Sequence, residues 1–443
     1  MEILIQAGQL ILSLSILIVL HEFGHYLPAR AFKTRVEKFY LFFDYKFSLL
    51  KKKIKDTEWG IGWIPLGGYV KISGMIDESM DKEQMEQPPQ PWEFRSKPAW
   101  QRLIIMIGGI VVNMIVGFVI YAMVLAVWGK DYVEYDGISE GYTFGENMES
   151  IGFEDGDRIL KIDGEVLDDY SYQSINKYLL VRSPEQMTVD RNGQEMVISI
   201  PDTMDYTLFK QGEMVIPRWH AVADTIIPDG GAFDAGLMVG DSIISVDGQK
   251  VTYWDQFTTA LEGKSDDSVS IDLYRDGELM TVGVLTDSAG KVGLGFDPDE
   301  RVHSLMTISH RDYSFGEAIP AGMSLAYWTL HDYAAQLKYL FTSKGASSMG
   351  GFGAFGKMFE PEWDWHSFWL NTALISIILA FMNFLPIPAL DGGHIMFLLY
   401  EMISGRKPHQ KVLEYAQIIG IILILGLVIY ANGNDIYKAI TGN

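Results

Sequence analysis

The sequence predicts a polytopic α-helical membrane protein that carries two small α+β domains between its second and third membrane-spanning helices. Three observations support this fold class: the 443-residue chain has four long apolar runs, an acidic segment separates the second run from the third, and that segment contains an internal repeat. Hydrophobic residues make up 48% of the chain, which excludes wholesale disorder. The net charge of −22 argues against a nucleic-acid partner. The absence of cysteine excludes disulfides, thiolate metal sites and cysteine nucleophiles.

The apolar runs cover residues 3–20, 103–128, 368–385 and 412–431. Each is close to the roughly 20 residues that a membrane-spanning helix needs. The alternative for the first run is a signal peptide, but no Lys or Arg precedes it and no small-residue cleavage site follows it. We therefore predict four spanning helices.

Basic residues indicate the orientation of these helices. Nine Lys and Arg residues lie between positions 30 and 55, and three more lie between positions 406 and 411. The positive-inside bias predicts that both loops are cytoplasmic. The acidic segment and both termini are then extracytoplasmic, with the inner end of the first helix on the cytoplasmic side.

The acidic segment, residues 130–301, holds 35 acidic and 13 basic residues and so carries the whole net charge. Residues 152–164 match residues 236–248 at an offset of 84, and the same offset relates the turn at 191–193 to the turn at 275–277. A repeat at one fixed offset indicates two copies of one structural unit. Each copy is predicted to contain short alternating strands with Asp-Gly or Asn-Gly turns and one short helix.

The repeated pattern resembles the circularly permuted bacterial PDZ domain. That resemblance implies a strand-edge groove that takes an extended peptide. Residues 292–296 are the candidate Gly-x-Gly loop of the second copy, and the first copy has no equivalent. The alternative is a pair of spacer domains without a ligand.

The chemistry points to a metal site at the inner end of the first helix. His21, Glu22 and His25 form an H-E-x-x-H motif. The i, i+4 spacing puts both imidazoles on one helix face, where they can share one metal ion, and Glu22 lies beside them to accept a proton from water. Ionisable residues at membrane depth are costly unless they have a function.

A catalytic zinc site needs a third protein ligand. Asp391 lies in the segment 383–394, at the inner end of the third apolar run and at the same depth as the histidine pair, where two prolines and paired glycines break the helix. Such freed backbone at membrane depth has to face protein or water. We expect Asp391 to be the third ligand, with His394 as the rival.

These motifs, together with the tandem PDZ-like repeats between the second and third helices, resemble the site-2 proteases over nearly the whole chain. The resemblance implies intramembrane hydrolysis of single-pass membrane substrates, such as anti-sigma factors or remnant signal peptides, after a first extracytoplasmic cut. It assigns one Zn²⁺ per chain to His21, His25 and Asp391, and the role of general base to Glu22.

The resemblance also implies substrate contacts. Asn383 and Pro386 would position the substrate. Residues 59–71 look like the family's membrane re-entrant β-hairpin, in which Gly67 and Gly68 let another backbone approach closely; the alternative is an ordinary amphipathic hairpin.

Gly109, Asn113 and Gly117 recur every four residues along the second helix. Close helix packing accounts for the glycines, while Asn113 is a further candidate for contact with substrate.

The predicted organisation has five parts. Residues 1–129 form the N-terminal membrane part, 130–215 the first PDZ-like domain, 216–305 the second, 306–365 an amphipathic linker on the outer surface, and 366–443 the C-terminal membrane part. The expected location is the bacterial inner membrane, with the lipid bilayer as surroundings and a peptide in the second PDZ-like groove as a further partner.

Two hypotheses from other classes remain at this stage. A metal transporter would need further ionisable residues along the spans, and the second span has none while the fourth has only Glu414, near its start. An inactive scaffold that presents PDZ-like domains would not need Glu22. Cleavage assays that compare the wild type with Glu22→Gln distinguish these hypotheses from a protease.

Overall fold

A computed structural model describes residues 1–75, 87–212, 215–295 and 305–441. The helices of these ranges are α1 (Glu2–Ala31), α2 (Ala99–Trp128), α3 (Glu146–Glu149), α4 (Tyr172–Lys177), α5 (Met204–Gln211), α6 (Gly231–Asp234), α7 (Trp254–Leu261), α8 (Phe315–Leu340), α9 (Ser343–Ser348), α10 (Phe352–Lys357), α11 (Trp365–Phe384), α12 (Asp391–Ser404) and α13 (Gln410–Thr441), with short 3-10 turns at Phe94–Ser96 and Tyr135–Gly137 and a π-helical turn at Tyr178–Arg182.

The strands are β1 (Val36–Phe43), β2 (Leu50–Ile54), β3 (Thr57–Ile61), β4 (Ile64–Ile72), β5 (Lys130–Val133), β6 (Tyr142–Thr143), β7 (Arg158–Ile162), β8 (Glu165–Val166), β9 (Gln186–Arg191), β10 (Gln194–Ser199), β11 (Ile216–Pro217), β12 (Thr225–Ile226), β13 (Ser242–Val246), β14 (Gln249–Lys250), β15 (Ser268–Arg275), β16 (Glu278–Leu285), β17 (Leu294–Gly295) and β18 (Ile308–Arg311). The chain divides into two compact units. The membrane unit comprises Met1–Gly129 and Asp312–Asn443, and the inserted unit comprises Lys130–Arg311.

Four helices of the described residues, α1, α2, α11 and α13, are long and apolar enough to cross a membrane. They contain the four apolar runs, so the prediction of four candidate spans is confirmed. Helix α2 is central to the membrane unit, because it packs against α1, α8, α11 and α12.

Helix α8 changes the interpretation of residues 306–365. This segment was expected to be an amphipathic linker on the outer surface, yet it contains a 26-residue helix that packs against both α2 and α11. Small residues make the contact: a Cβ on Gly322 would lie 2.5 Å from the backbone nitrogen of Ala122, and Ala326 is fully buried. Small side chains allow two helices to approach closely.

Residues 59–71 do not form a hairpin of two mutually paired strands. They belong to a four-stranded sheet of order β2-β3-β1-β4, in which β1 separates β3 from β4. Strand β3 runs parallel to β1, whereas β4 runs antiparallel to it. The chain crosses the end of β1 at Gly62, where a Cβ would lie 2.2 Å from the carbonyl oxygen of Phe43. A strand from earlier in the sequence therefore replaces the expected local partner, and β4 becomes an edge strand.

The inserted unit repeats one arrangement of strands. The sheet of the first module has the order β10-β9-β7-β8, and that of the second has the order β14-β13-β15-β16, which is the same order listed from the opposite edge. Strands β7 and β13 lie 84 residues apart, as do β8 and β14. Each module has its own buried hydrophobic cluster.

A buried ion pair recurs at the same offset. Asp157 accepts two hydrogen bonds from Arg191 at 2.7 Å, and Asp241 accepts two from Arg275 at 2.7 and 2.6 Å. The hydrogen bonds from Arg275 hold the pKa of the Asp241 carboxyl below its ordinary value. The sequence repeat is therefore a repeat of fold and of internal contacts.

The two modules differ at the predicted peptide loop. In the second module, Leu294–Gly295 pairs with Thr225–Ile226, and Phe296 of the predicted loop lies outside the described residues. The positions 84 residues earlier fall at the end of helix α5, which places Met204 and Leu208 in the core of the first module. The peptide groove of the second module stays a prediction.

Candidate metal centre

Helix α1 carries the two histidines on one face. His21 and His25 lie one turn apart, and their Nε2 atoms are 3.2 Å apart. Their rings meet edge to face. His25 and the intervening Glu22 are buried. The helical spacing alone therefore brings two nitrogen ligands and one carboxylate to the same place.

Asp391 arrives from the other end of the sequence. It is the first residue of α12, and the chain before it leaves the α11 helix at Leu385. The Gly392–Gly393 pair permits the tight return, because a Cβ on Gly392 would lie 2.0 Å from the carbonyl oxygen of Leu385. This loop brings Asp391 Oδ2 to 3.2 Å from the Nε2 atoms of both His21 and His25.

The donor set of His21, His25 and Asp391 fits a zinc ion. Its three ligand atoms are separated by 3.2 Å in every pair. Ligand atoms bound to zinc at about 2.0–2.1 Å in tetrahedral geometry are about 3.3–3.4 Å apart. Asp391 Oδ2 is buried and has no hydrogen-bond partner among the described residues, as expected of an atom reserved for a metal.

Helix α2 supports the histidine pair. His25 Nδ1 lies 2.8 Å from the carbonyl oxygen of Ile105, and His21 Nδ1 lies 3.2 Å from Asn113 Nδ2. Gly109 lies between these two positions, and a Cβ there would be 2.5 Å from His25 Nε2. Helices α1 and α2 approach closely enough for these contacts because they cross at Gly24 and Gly108, where neither residue has room for a Cβ.

The site opens into a cavity of about 740 Å³. Glu22, Asn383, Gly67 and Gly68 all line it, so the structure brings these predicted site residues together. The two remaining predicted substrate contacts are Asn113 and Pro386. Asn113 also lines the cavity, but its side chain is fully buried against His21. Pro386 belongs to the turn that carries Asp391 and is not among the lining residues.

His394, the rival third ligand, lines the same cavity. The cluster of potential ligand atoms within 4.8 Å of one another, among the described residues, comprises only His21, His25 and Asp391. The geometry therefore favours Asp391 over His394.

Strand β4 forms one wall of the cavity. Glu22 and Val70, a residue of β4, both line this cavity. Gly67 and Gly68 precede Val70 on the same strand. The edge strand of the sheet thus lies next to the predicted general base.

Sequence analysis missed a polar cluster on this wall. Tyr69 donates a 2.8 Å hydrogen bond to Asp44, which also pairs with Lys38 at 3.1 Å. Burial would raise the pKa of the Asp44 carboxyl, but the hydrogen bonds from Tyr69 and Lys38 lower it overall. No local spacing connects these residues, because β1 and β4 bring them together from distant positions.

Gln417 is a second residue that was missed. It is buried on α13 and lines the cavity. Its signal in the sequence is an amide within the fourth apolar run.

Comparison with known proteins decides the family. The model for peptidase family M50 matches residues 9–427. The chain belongs to peptidase family M50. The resemblance to the site-2 proteases is thereby confirmed, and this M50 member is an intramembrane zinc metalloprotease of the site-2 type.

Relatives of this M50 peptidase span almost its full length. The regulator of sigma E protease of Haemophilus influenzae is 27% identical over 99% of this chain and 100% of its own. Protease RseP of Yersinia pestis is 27% identical over 98% of this chain and 99% of its own. Metalloprotease MmpA of Caulobacter vibrioides is 25% identical over 98% of this chain and 96% of its own.

Proposed function

We propose that this protein cleaves single-pass membrane proteins within the bilayer, with one Zn²⁺ per chain held by His21, His25 and Asp391, and with Glu22 as the general base. The observation that carries the proposal is the convergence of three ligand atoms at mutual distances of 3.2 Å beside a buried carboxylate. Three protein ligands leave a fourth position open, which is typical of catalytic rather than structural zinc.

The mechanism divides between the metal and Glu22. Zinc bound at this site supplies Lewis-acid activation of water and of a peptide carbonyl. The Glu22 carboxylate takes the proton from the attacking water and passes it to the nitrogen of the leaving amine. The substrate helix has to unwind first, because a helical carbonyl is hydrogen-bonded and sterically covered.

The edge of β4 is the proposed platform for the unwound substrate. Unpaired backbone groups in hydrocarbon cost several kcal/mol each, and an edge strand supplies the missing N–H and C=O partners. Strand β4 pairs with β1 on one side only, and Gly67, Gly68 and Val70 on it line the cavity. Asn383, which lines the same cavity, would bind the substrate backbone from the other side, and Pro386 would shape the turn beneath it.

The proposed location, orientation and substrates of the protein rest on the basic loops and on the names of the relatives. We infer that the protein lies in the bacterial inner membrane, with the inserted unit and both termini extracytoplasmic and the metal site toward the cytoplasmic side. The relative from Haemophilus influenzae is named a regulator of sigma E protease. This supports substrates such as an anti-sigma factor, or a remnant signal peptide, cut after a first extracytoplasmic cleavage. The PDZ-like modules would act as a size filter, and the second groove would be open to a peptide.

The test uses purified full-length protein and a model single-pass substrate in detergent, with a chelator control. His21→Ala, His25→Ala and Asp391→Ala should each abolish cleavage and reduce bound zinc. Glu22→Gln should abolish cleavage but retain zinc, because it removes the base and leaves the ligands.

Two results would change the assignment. Full activity in Asp391→Ala would move the third ligand elsewhere, with His394→Ala as the next variant to measure. Normal cleavage by Glu22→Gln would remove the general base from the mechanism.

A further inference from the structure

One face of α2 supplies a partner to each histidine of the metal site. Ile105, Gly109 and Asn113 recur every four residues and so lie along one side of the helix. The Ile105 carbonyl accepts a hydrogen bond from His25 Nδ1 at 2.8 Å. Gly109 leaves room for both rings, and the Asn113 amide meets His21 Nδ1 at 3.2 Å.

The two contacts differ in hydrogen-bond direction. Ile105 presents an oxygen to its histidine, whereas Asn113 presents Nδ2, a donor, to His21 Nδ1. Asn113 is fully buried, and its Oδ1 has no hydrogen-bond partner among the described residues. A half-turn of the amide exchanges the donor and acceptor ends without moving any other group.

The tautomer of His21 decides which end of the amide fits. When the ring proton of His21 is on Nε2, which lies 3.2 Å from Asp391 Oδ2, Nδ1 accepts from Asn113 Nδ2. A metal on Nε2 needs the lone pair of that atom, so the ring proton moves to Nδ1 and becomes a donor. In either orientation of the Asn113 amide, one of its two polar atoms is left without a partner among the described residues. The preferred orientation is therefore decided by whether His21 Nδ1 donates or accepts a hydrogen bond.

We propose that Asn113 is a positioning residue: it turns its Oδ1 to accept from His21 Nδ1–H when zinc is bound, and so fixes the tautomer and ring orientation of that ligand. This rests on the zinc assignment proposed above. It also gives Asn113 a role that does not require contact with substrate. Partners of this kind typically contribute 10–100-fold to metal affinity, by orienting the ring and raising the basicity of the ligand nitrogen.

The experiment measures zinc affinity by chelator competition in the full-length protein, so that activity is not the readout. Asn113→Leu keeps the size of the side chain and removes the acceptor, and should weaken zinc binding about 10–100-fold. Asn113→Asp keeps an oxygen acceptor and should bind zinc at least as tightly as the wild type. Thr372→Val is the matched control, because it removes a buried 3.0 Å hydrogen bond to Ser13 away from the site and should leave affinity unchanged.

Wild-type affinity in Asn113→Leu would overturn the proposal, and so would an equal loss in Asn113→Leu and Asn113→Asp. If Asn113→Leu does not yield folded protein, Asn113→Ala takes its place, and unchanged affinity in that variant is equally decisive against it. A wild type that binds no zinc would instead overturn the metal assignment itself, which separates the two failures.

Discussion

Gly109 allows α2 to approach His21 and His25 closely. A Cβ at this position would lie 2.5 Å from His25 Nε2 and 2.6 Å from His21 Cε1. Because the neighbouring atoms belong to the rings of the proposed metal ligands rather than to flexible side-chain ends, they have to shift if the space is filled. Overpacking of this kind typically costs about 1–3 kcal/mol.

We predict that Gly109→Ala lowers zinc affinity by about tenfold or more, since about 1.4 kcal/mol corresponds to a factor of ten, and lowers cleavage at least in proportion. Chelator competition and cleavage of a model substrate are the measurements. Gly426→Ala on α13 is the control, because a Cβ there meets nothing within 4 Å. Unchanged zinc binding in Gly109→Ala would mean that α2 can move away from the histidines without consequence.

The sequence alone was sufficient to predict the site residues whose positions follow from local spacing. His21, Glu22 and His25 are fixed by one helical turn, and Asp391 by a motif whose prolines and glycines break the chain at the right depth. Ile105 and the orientation of Asn113 could not be predicted, because they depend on the rotation of α2 against α1. That rotation is set by the crossing of the two helices at Gly24 and Gly108. A glycine in each of two apolar helices does not by itself indicate that the helices cross at those glycines.

At the scale of elements, the sheet shows where local pattern is insufficient. The strands at 59–71 were predicted, but as a hairpin, because residues 59–71 resemble the membrane re-entrant β-hairpin of the site-2 proteases. Insertion of β1 between them depends on contacts that no local pattern contains. One consequence is that Ile61, on β3 with neighbours on both sides, is unsuitable for testing substrate pairing, whereas β4 has an open edge.

We predict that Val70→Pro impairs cleavage strongly while zinc content stays at the wild-type level. Proline removes the backbone N–H, which on our proposal lies at the edge of β4 that is available to substrate. Val70→Ala is the matched control, since it shortens the side chain and keeps the N–H. Cleavage and zinc content are measured for both variants.

Crosslinking supplies a second measurement for the same prediction. Single cysteines along β4 in the Glu22→Gln background should crosslink to cysteines near the scissile bond of a trapped substrate; the chain has no native cysteine. Absence of these crosslinks together with strong ones to the second PDZ-like module would make the sheet a passive anchor.

Helix α8 is a further element whose packing could not be predicted. The sequence indicated only an amphipathic segment that bears Trp and Tyr. Ala318, Gly322 and Ala326, spaced four residues apart, are buried on one face of this helix. A stripe of small residues is compatible with helix contact, but only the fold identifies α2 as the partner.

At the scale of the whole molecule, the inserted unit begins and ends at one place. Strand β5 opens the unit and β18 closes it, and the two pair antiparallel with Lys130 opposite Arg311. Facing residues in such a pair have Cα atoms about 5 Å apart. A linker of one or two glycines between Lys130 and Arg311 can therefore replace the unit without straining the membrane unit. The domain boundary at 305 that was predicted from the sequence would leave β18 without its partner β5.

We predict that deletion of residues 131–310 permits cleavage of substrates that still carry a folded extracytoplasmic domain, because on our proposal the inserted unit is a size filter. The measurement compares trimmed and untrimmed forms of one model substrate in reconstituted vesicles. The same deletion combined with Glu22→Gln controls for contaminating proteases.

A replacement variant separates bulk from peptide recognition. If bulk is sufficient, an unrelated folded domain of similar size in place of the inserted unit should restore the exclusion of untrimmed substrates. If it does not, the explanation shifts to peptide recognition by the second module. Continued exclusion of untrimmed substrates by a deletion variant that still processes trimmed ones would contradict the filter, since nothing of the inserted unit would remain to provide it.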